Sequence, residues 1–392
     1  MTAEHFTVGG VYGRIVGMIL RKACQQTGSV IFFAREESSM KLRPFILIAI
    51  ALAALGTKAY AVHAQTGDRQ FTEREVTFAG AGGLQLHGTL LVPAGIKGKA
   101  PGVLLLPGSG PTDRNGNQPP QMVTDLLKQI AARLGTDGYA SLRFDKRATR
   151  SYMNSFPKES TALGDFFSWD NFVGDARAAL DFLKSQPEIS PKQTVIAGHS
   201  EGAIIAIQVA HDLEGKSNPP AALILLSAPG RTLGAIIQAQ VSASLKRENV
   251  IGAAAKPYED YMPRAVAQVI KDATLPPNPP PGLAAIFPPS ALKLLQIEFA
   301  FDPVKVLSTY SGPVLVIQGE KDIQISPAND FPLLQSALKQ RKHGTYRAAL
   351  VLSASHNLKK VENENAEPGF TGPVVPHVLD NISDWLKQTL KR

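Results

Sequence analysis

The segment Gly198-His199-Ser200-Glu201-Gly202 places a hydroxyl between two glycines. A serine attacks a carbonyl only when its Oγ is exposed and a base can take its proton, and a sharp strand-to-helix turn provides the exposure. Such a turn holds the serine at a strained backbone position and packs its flanks so tightly that they must be small. Thr194–Ala197 reads as a strand and Ala203–Ala210 as a nearly all-apolar helix, which is the context the turn needs. Ser200 is therefore expected to be a nucleophile for acyl transfer rather than part of a structural Gly-Ser turn. Glu201 is the awkward neighbour, because an unpaired carboxylate opposes charge that develops beside it.

A serine nucleophile needs a base, and the base needs an acid to orient it. On a strand–helix turn of this kind the acid and then the base follow the serine along the chain. Three histidines, His343, His356 and His377, follow the strand expected at 313–318. His343 precedes the next strand and belongs to the edge remote from Ser200, and His377 opens the last helix. His356, in Ser-Ala-Ser-His-Asn, stands just past the C-terminal end of a strand, where functional loops of open sheets gather. It is the expected base. The loop Ser227–Thr232 carries no carboxylate, whereas the next one offers Glu320 and Asp322. The Gly-x-x-Asp spacing favours Asp322 as the orienting acid, with Glu320 the alternative.

The tetrahedral intermediate requires two backbone N–H donors. One belongs to the residue after the nucleophile, Glu201. The other is expected in the loop Leu-Pro-Gly-Ser-Gly-Pro-Thr-Asp-Arg-Asn-Gly-Asn, where Gly108, Gly110 and Gly116 permit close backbone approach. Ser109 or Gly110 is the expected donor. The loop lacks the Gly-Lys-Ser/Thr ending of a phosphate cradle. Asp113 and Arg114 are expected to brace it by pairing with each other, and Arg114 or Arg147 is the expected partner of the Glu201 side chain.

These residues need a scaffold, and the hydrophobic pattern supplies one. An alternating, Gly-broken stretch at 74–95 reads as an antiparallel hairpin. After it, short apolar runs at 102–106, 139–147, 194–200, 221–230, 312–322 and 345–357 alternate with helical segments at 122–134, 168–187, 203–213 and 376–389. That alternation implies a doubly wound, mostly parallel sheet with helices on both faces, an α/β fold. Residues 231–310 break the rhythm and are too long for an ordinary connection. Their apolar stretches at 233–245, 265–270 and 291–299 and the cluster Leu-Pro-Pro-Asn-Pro-Pro-Pro-Gly are expected to form an inserted helical cap. The core would then comprise 65–230 and 311–392.

The N-terminal region has a separate logic. From Met40, the basic Lys41 and Arg43, the apolar run Pro44–Leu55 and the small-x-small sites ending at Ala61 and Ala64 have the order of a secretory signal peptide. This implies periplasmic or secreted location, Met40 as the natural start and residues 1–39 as an over-extended leader; the alternative is an anchored N-terminus with a cytoplasmic leader. No stable membrane anchor is expected if the signal is cleaved. The formal net charge is +8, of which residues 1–64 carry +4, and no basic run follows, so a nucleic-acid partner is not expected. The single cysteine, Cys24, leaves no disulfide or thiolate-metal framework in the expected mature chain.

Taken together, Gly-Ser-Gly-Pro-Thr-Asp-Arg-Asn-Gly-Asn, Leu-Arg-Phe-Asp-Lys-Arg, Gly-His-Ser-Glu-Gly, Gly-Glu-Lys-Asp and Ser-Ala-Ser-His-Asn resemble the α/β-hydrolase superfamily. The resemblance is to bacterial exported esterases related to serine aminopeptidase-like and dienelactone-hydrolase-like proteins, and it spans about residues 70–390. Where that group has Asp-x-Arg-Gly-x-Gly-x-Ser, this chain has Ala148 and Arg150 in place of the glycines, so the loop is expected to differ in shape. The combined reading is a serine hydrolase cleaving a small-molecule carboxylic ester through an acyl-enzyme, with Ser200, His356 and Asp322 and no metal or organic cofactor. The same machinery acting on amides, with Glu248, Glu259 or Asp260 receiving a substrate ammonium, is the alternative; a non-catalytic binding protein on this scaffold is a third reading.

Overall fold

The computed structural model describes residues 70–362 and 369–390. The expected leader (1–39) and signal segment (40–64) lie outside the described residues. Eight strands form one sheet: β1 (Phe71–Ala79), β2 (Gln85–Pro93), β3 (Ala100–Leu106), β4 (Ala140–Phe144), β5 (Ile189–His199), β6 (Ala222–Leu226), β7 (Val314–Gly319) and β8 (Tyr346–Val351). Their order is β1-β2-β4-β3-β5-β6-β7-β8. The β1–β2 hairpin is antiparallel, as is the β2–β4 contact, and every pairing from β4 through β3 to β8 is parallel.

The parallel strands are apolar throughout because both faces are covered. The period-2 alternation of a strand divides their side chains between two cores. Leu104 and Leu106 of β3, Leu223 and Leu225 of β6, and Val314 and Val316 of β7 face one core. Val103 and Leu105, Ile224 and Leu226, and Leu315 and Ile317 face the other. Helices α3 (Trp169–Ser185) and α4 (Glu201–Leu213) close the first core. Helices α1 (Leu126–Thr136) and α10 (Pro376–Thr389) close the second. No helix among the described residues is long and apolar enough to cross a membrane.

Several element bounds differ from expectation for local reasons. Helix α1 starts at Leu126 rather than Met122, which instead bridges to Gln118. The Asn117 Oδ1 accepts the N–H groups of both Thr124 and Asp125, and Asp125 turns left-handed at φ 48°. The helix start is thus tied into the glycine-rich loop. Strand β4 stops at Phe144, leaving Asp145, Lys146 and Arg147 as a loop with all three buried. Three further helices were not expected from the sequence: α2 (Ser160–Phe166), α8 (Pro303–Leu307) and α9 (Phe331–Gln340).

Within 231–310 lie α5 (Leu233–Arg247), α6 (Lys256–Asp272) and α7 (Leu292–Ala300). They have a core of their own, built from residues such as Ile237, Tyr261, Phe287 and Phe299. The proline cluster packs against α6, where the Tyr261 hydroxyl donates to the Pro276 carbonyl at 2.7 Å. Leu307 and Tyr310, after α7, belong to the main core instead.

Candidate active site

Ser200 joins β5 to α4 at φ 56°, ψ −120°, a strained conformation for a residue with a Cβ. Its two flanks explain how the turn closes. A Cβ on Gly198 would lie 2.1 Å from the Gly202 carbonyl oxygen, and one on Gly202 would lie 2.5 Å from the Leu106 carbonyl oxygen. Only glycine lets the helix start sit against β3 and the end of β5. The Ser200 N–H donates to the Leu226 carbonyl, anchoring the turn to β6.

The acid and base positions meet at the C-terminal ends of β7 and β8. Asp322 Oδ2 lies 2.8 Å from His356 Nδ1 and 2.8 Å from Gln318 Nε2, while its Oδ1 accepts the N–H groups of Gln324 and Ile325. Those contacts use both oxygens and leave the carboxylate one orientation. Glu320 points elsewhere, accepting the Ser353 N–H at 3.1 Å. Ser200, His199 and His356 line one cleft together with Gly108 and Ser109. His343 and His377 line neither this cleft nor the neighbouring one.

The glycine-rich loop reaches the serine from the other side. A Cβ on Gly108 would stand 3.4 Å from Ser200 Cβ and 3.3 Å from His199 Nδ1. Among the described residues, neither Ser109 nor Gly110 gives its backbone N–H to a protein acceptor. The Glu201 N–H, at the first position of α4, has no intrahelical acceptor either. Gly110 takes φ 84°, and the Ser109 carbonyl is held by Thr112 Oγ1 and Gln118 Nε2, each at 2.8 Å.

Residues 103–358 match the α/β hydrolase family. The chain belongs to that family. Similar solved structures include Est1E from Butyrivibrio proteoclasticus, at 14% identity and TM-score 0.48, with 81% of this chain and 99% of that one covered. A dienelactone hydrolase from Anabaena variabilis shows 16% identity and TM-score 0.44, with 81% and 98% covered. An esterase of Pyrococcus furiosus shows 16% identity and TM-score 0.47, with 82% and 92% covered. No curated protein matches the chain.

In this α/β hydrolase the charged loops pair differently from the sequence expectation. Arg114 does not pair with Asp113; it forms a two-pronged contact with Asp145 and also reaches Glu75. Asp113 instead accepts the N–H groups of Asn115 and Asn117, folding the loop on itself. Arg147 is committed to Asp175, both 2% exposed. Glu201 therefore pairs with neither arginine but with Lys146, at 2.5 Å. Where Gly was replaced after Arg147, a 3-10 turn runs from Arg150 to Ser155, and Tyr152 Oη accepts the His87 N–H.

Lys146, His199, Ser227 and Glu298 escaped the sequence reading of the site. His199 lies beside His356 with ring centroids 4.8 Å apart and the rings tilted by 53°. Its Nε2 lies 2.9 Å from the His356 carbonyl oxygen, which also accepts the Ser227 hydroxyl at 2.9 Å. Burial, then the neighbouring His356, push the His199 imidazole down to about 3, so it stays neutral and donates from Nε2. Glu298, on α7, is buried beside Glu201; burial and the Glu201 charge raise its carboxyl well above the usual range. A lone acid in the apolar run Leu-Leu-Gln-Ile-Glu-Phe was the available signal.

A second cleft opens over Ser200 between α4, α5 and α7, with Ile204, Ile237, Leu295 and Phe299 among its walls and Glu298 at its side. The carboxylates expected to serve a substrate ammonium are not there. Glu259 and Asp260 are exposed, Asp260 pairs with Lys256, and Glu248 stands at the far end of α5. Among the described residues, no group of acids, histidines and cysteines is arranged to hold a metal ion.

Proposed function

We propose that this hydrolase cleaves carboxylic esters through an acyl-enzyme on Ser200. The observation that carries the reading is the strained Ser200 backbone at the β5–α4 joint, in a cleft shared with a His356 whose Nδ1 is held by Asp322. His356 Nε2 takes the Ser200 proton as Oγ attacks the ester carbonyl, and Asp322 stabilises the imidazolium. The N–H groups of Glu201 and of Ser109 or Gly110 receive the oxyanion. His356 then passes its proton to the departing alcohol, which places the leaving group on the histidine side. The apolar cleft between α4, α5 and α7 is left for the acyl group. Water attacks the acyl-enzyme with His356 again as base.

The amide alternative loses support, because burial and the neighbouring Glu201 charge push Glu298, the cap acid beside the cleft, toward its neutral form, which is a poor partner for an ammonium. Fluorophosphonate labelling of the wild type and of Ser200→Ala tests the nucleophile: equal labelling removes it. A panel of p-nitrophenyl esters against aminoacyl-p-nitroanilides then tests the substrate class, and faster turnover of the anilides overturns the ester assignment.

A further inference from the structure

Lys146 sits at the junction of the two oxyanion-donating segments. It is 4% exposed, and its Nζ lies 2.5 Å from Glu201 Oε2 and 3.3 Å from the Gly108 carbonyl oxygen, over the Phe172 ring at 4.6 Å from the centroid. A peptide group is planar and trans, so its C=O and the following N–H point in opposite directions. The group whose carbonyl Lys146 holds is Gly108–Ser109, and its N–H belongs to Ser109. The carboxylate Lys146 pairs with belongs to Glu201, whose own N–H is the other donor. One ammonium thus reaches both halves of the site that the intermediate's oxygen would enter.

We infer that the Lys146–Glu201 ion pair is a positioning device for the oxyanion site, aiming the Ser109 N–H and fixing the first turn of α4 that carries the Glu201 N–H. The inference rests on the acyl-enzyme reading above. It also resolves the electrostatic objection to a carboxylate beside the nucleophile, since the Lys146 charge at 2.5 Å offsets the Glu201 charge where the oxyanion forms. Preorganised donors do not have to rotate during reaction, which is why their orientation affects the transition state more than the bound ester. Glu298 joins the arrangement from α7, lying buried beside Glu201, so that the insertion and the oxyanion site share one buried cluster. Ser109 rather than Gly110 is then the loop donor.

The test compares wild type, Lys146→Met, the near-isosteric Glu201→Gln, the double variant, and Lys146→Arg, which keeps the cation. On a p-nitrophenyl ester each single variant is expected to lose on the order of 100-fold in kcat, as removal of one oxyanion donor does, with KM nearly unchanged. The double variant should lose no more than the worse single one, because both substitutions undo one device. Affinity for a trifluoromethyl ketone, which forms a tetrahedral adduct, should fall in step with kcat/KM, and Lys146→Arg should recover part of both. A folded Glu201→Gln or Lys146→Met protein that keeps wild-type kcat overturns the inference, as do strictly additive losses or a loss confined to KM. Wild type that fails to turn over esters, or that labels no better than Ser200→Ala, instead overturns the acyl-enzyme reading on which the inference stands.

Discussion

His199 and His356 face each other with ring centroids 4.8 Å apart, yet the bond between them runs from the His199 ring to the His356 main chain. Ser227, held at φ 46°, donates to the same carbonyl. The loop carrying the proposed base is therefore fastened by its backbone, which leaves the His356 ring free to exchange protons while Asp322 orients it.

This fastening has a pH signature. A histidine whose folded value is about 3 binds fewer protons than it does unfolded, where it titrates near the usual 6.5. Its contribution to stability is complete above the unfolded value and is lost as pH falls from there toward 3, by ~1.4 kcal/mol per pH unit. His199→Gln keeps a donor for the carbonyl and removes the titration. Urea midpoints measured across this range should fall less steeply for His199→Gln than for wild type. His199→Ala should also lower kcat roughly fivefold, the worth of one hydrogen bond, with Gln restoring most of it.

The choice between the two acids of the β7 loop can be read in kinetics. Asp322→Asn keeps the size of the side chain but offers an amide where His356 Nδ1 needs an acceptor, so kcat should drop by about 10⁴-fold. Glu320→Gln keeps an acceptor for the Ser353 N–H and removes only a charge 4.0 Å from Lys321 Nζ, so it should leave kcat within about twofold. Equal losses for the two variants would remove Asp322 from its proposed role.

Glu298 should act on stability in the opposite sense from His199. Burial and the facing Glu201 raise its carboxyl, while Lys146 acts in the other direction without outweighing them. The folded protein thus keeps a proton that the unfolded chain releases near 4.3–4.5. Its stabilising effect is complete below that value and declines as pH rises to the folded one, by ~1.4 kcal/mol per pH unit within the window. Glu298→Gln carries no such titration. The stability difference between wild type and Glu298→Gln should move against wild type as pH rises, and a pH-independent difference would mean that Glu298 is not protonated in the fold.

The α/β architecture was legible because its signals are local. Period-2 alternation in the β1–β2 hairpin, continuous apolar runs in β3, β6 and β7, and helical spacing in α3 and α10 each depend on neighbours along the chain. The short helices α2 and α8 were not legible, since one or two turns bury too few residues to leave a period; α9 does keep helical spacing at Phe331, Leu334 and Leu338, and that signal was missed. The Gly-His-Ser-Glu-Gly segment was equally local: its glycines exist to let α4 start against β3, and that demand is written in five consecutive residues.

Which charges meet was decided by the tertiary structure. Lys146, Arg147 and Arg114 are chemically similar candidates for Glu201, and nothing in their spacing ranks them. Arg147 is claimed by Asp175 on α3 and Arg114 by Asp145 at the end of β4, both by two-pronged contacts that a planar guanidinium makes well. Lys146 is left with Glu201, and α7 brings Glu298 to the same place from almost one hundred residues away. A buried charge takes the partner that packing delivers to it, because water is not there to serve instead. By itself the sequence determined the strands and the longer helices of the sheet, the turn at Ser200 and the candidate acids and bases. Only the folded chain decided which of them touch, and so what Glu201 can do beside Ser200.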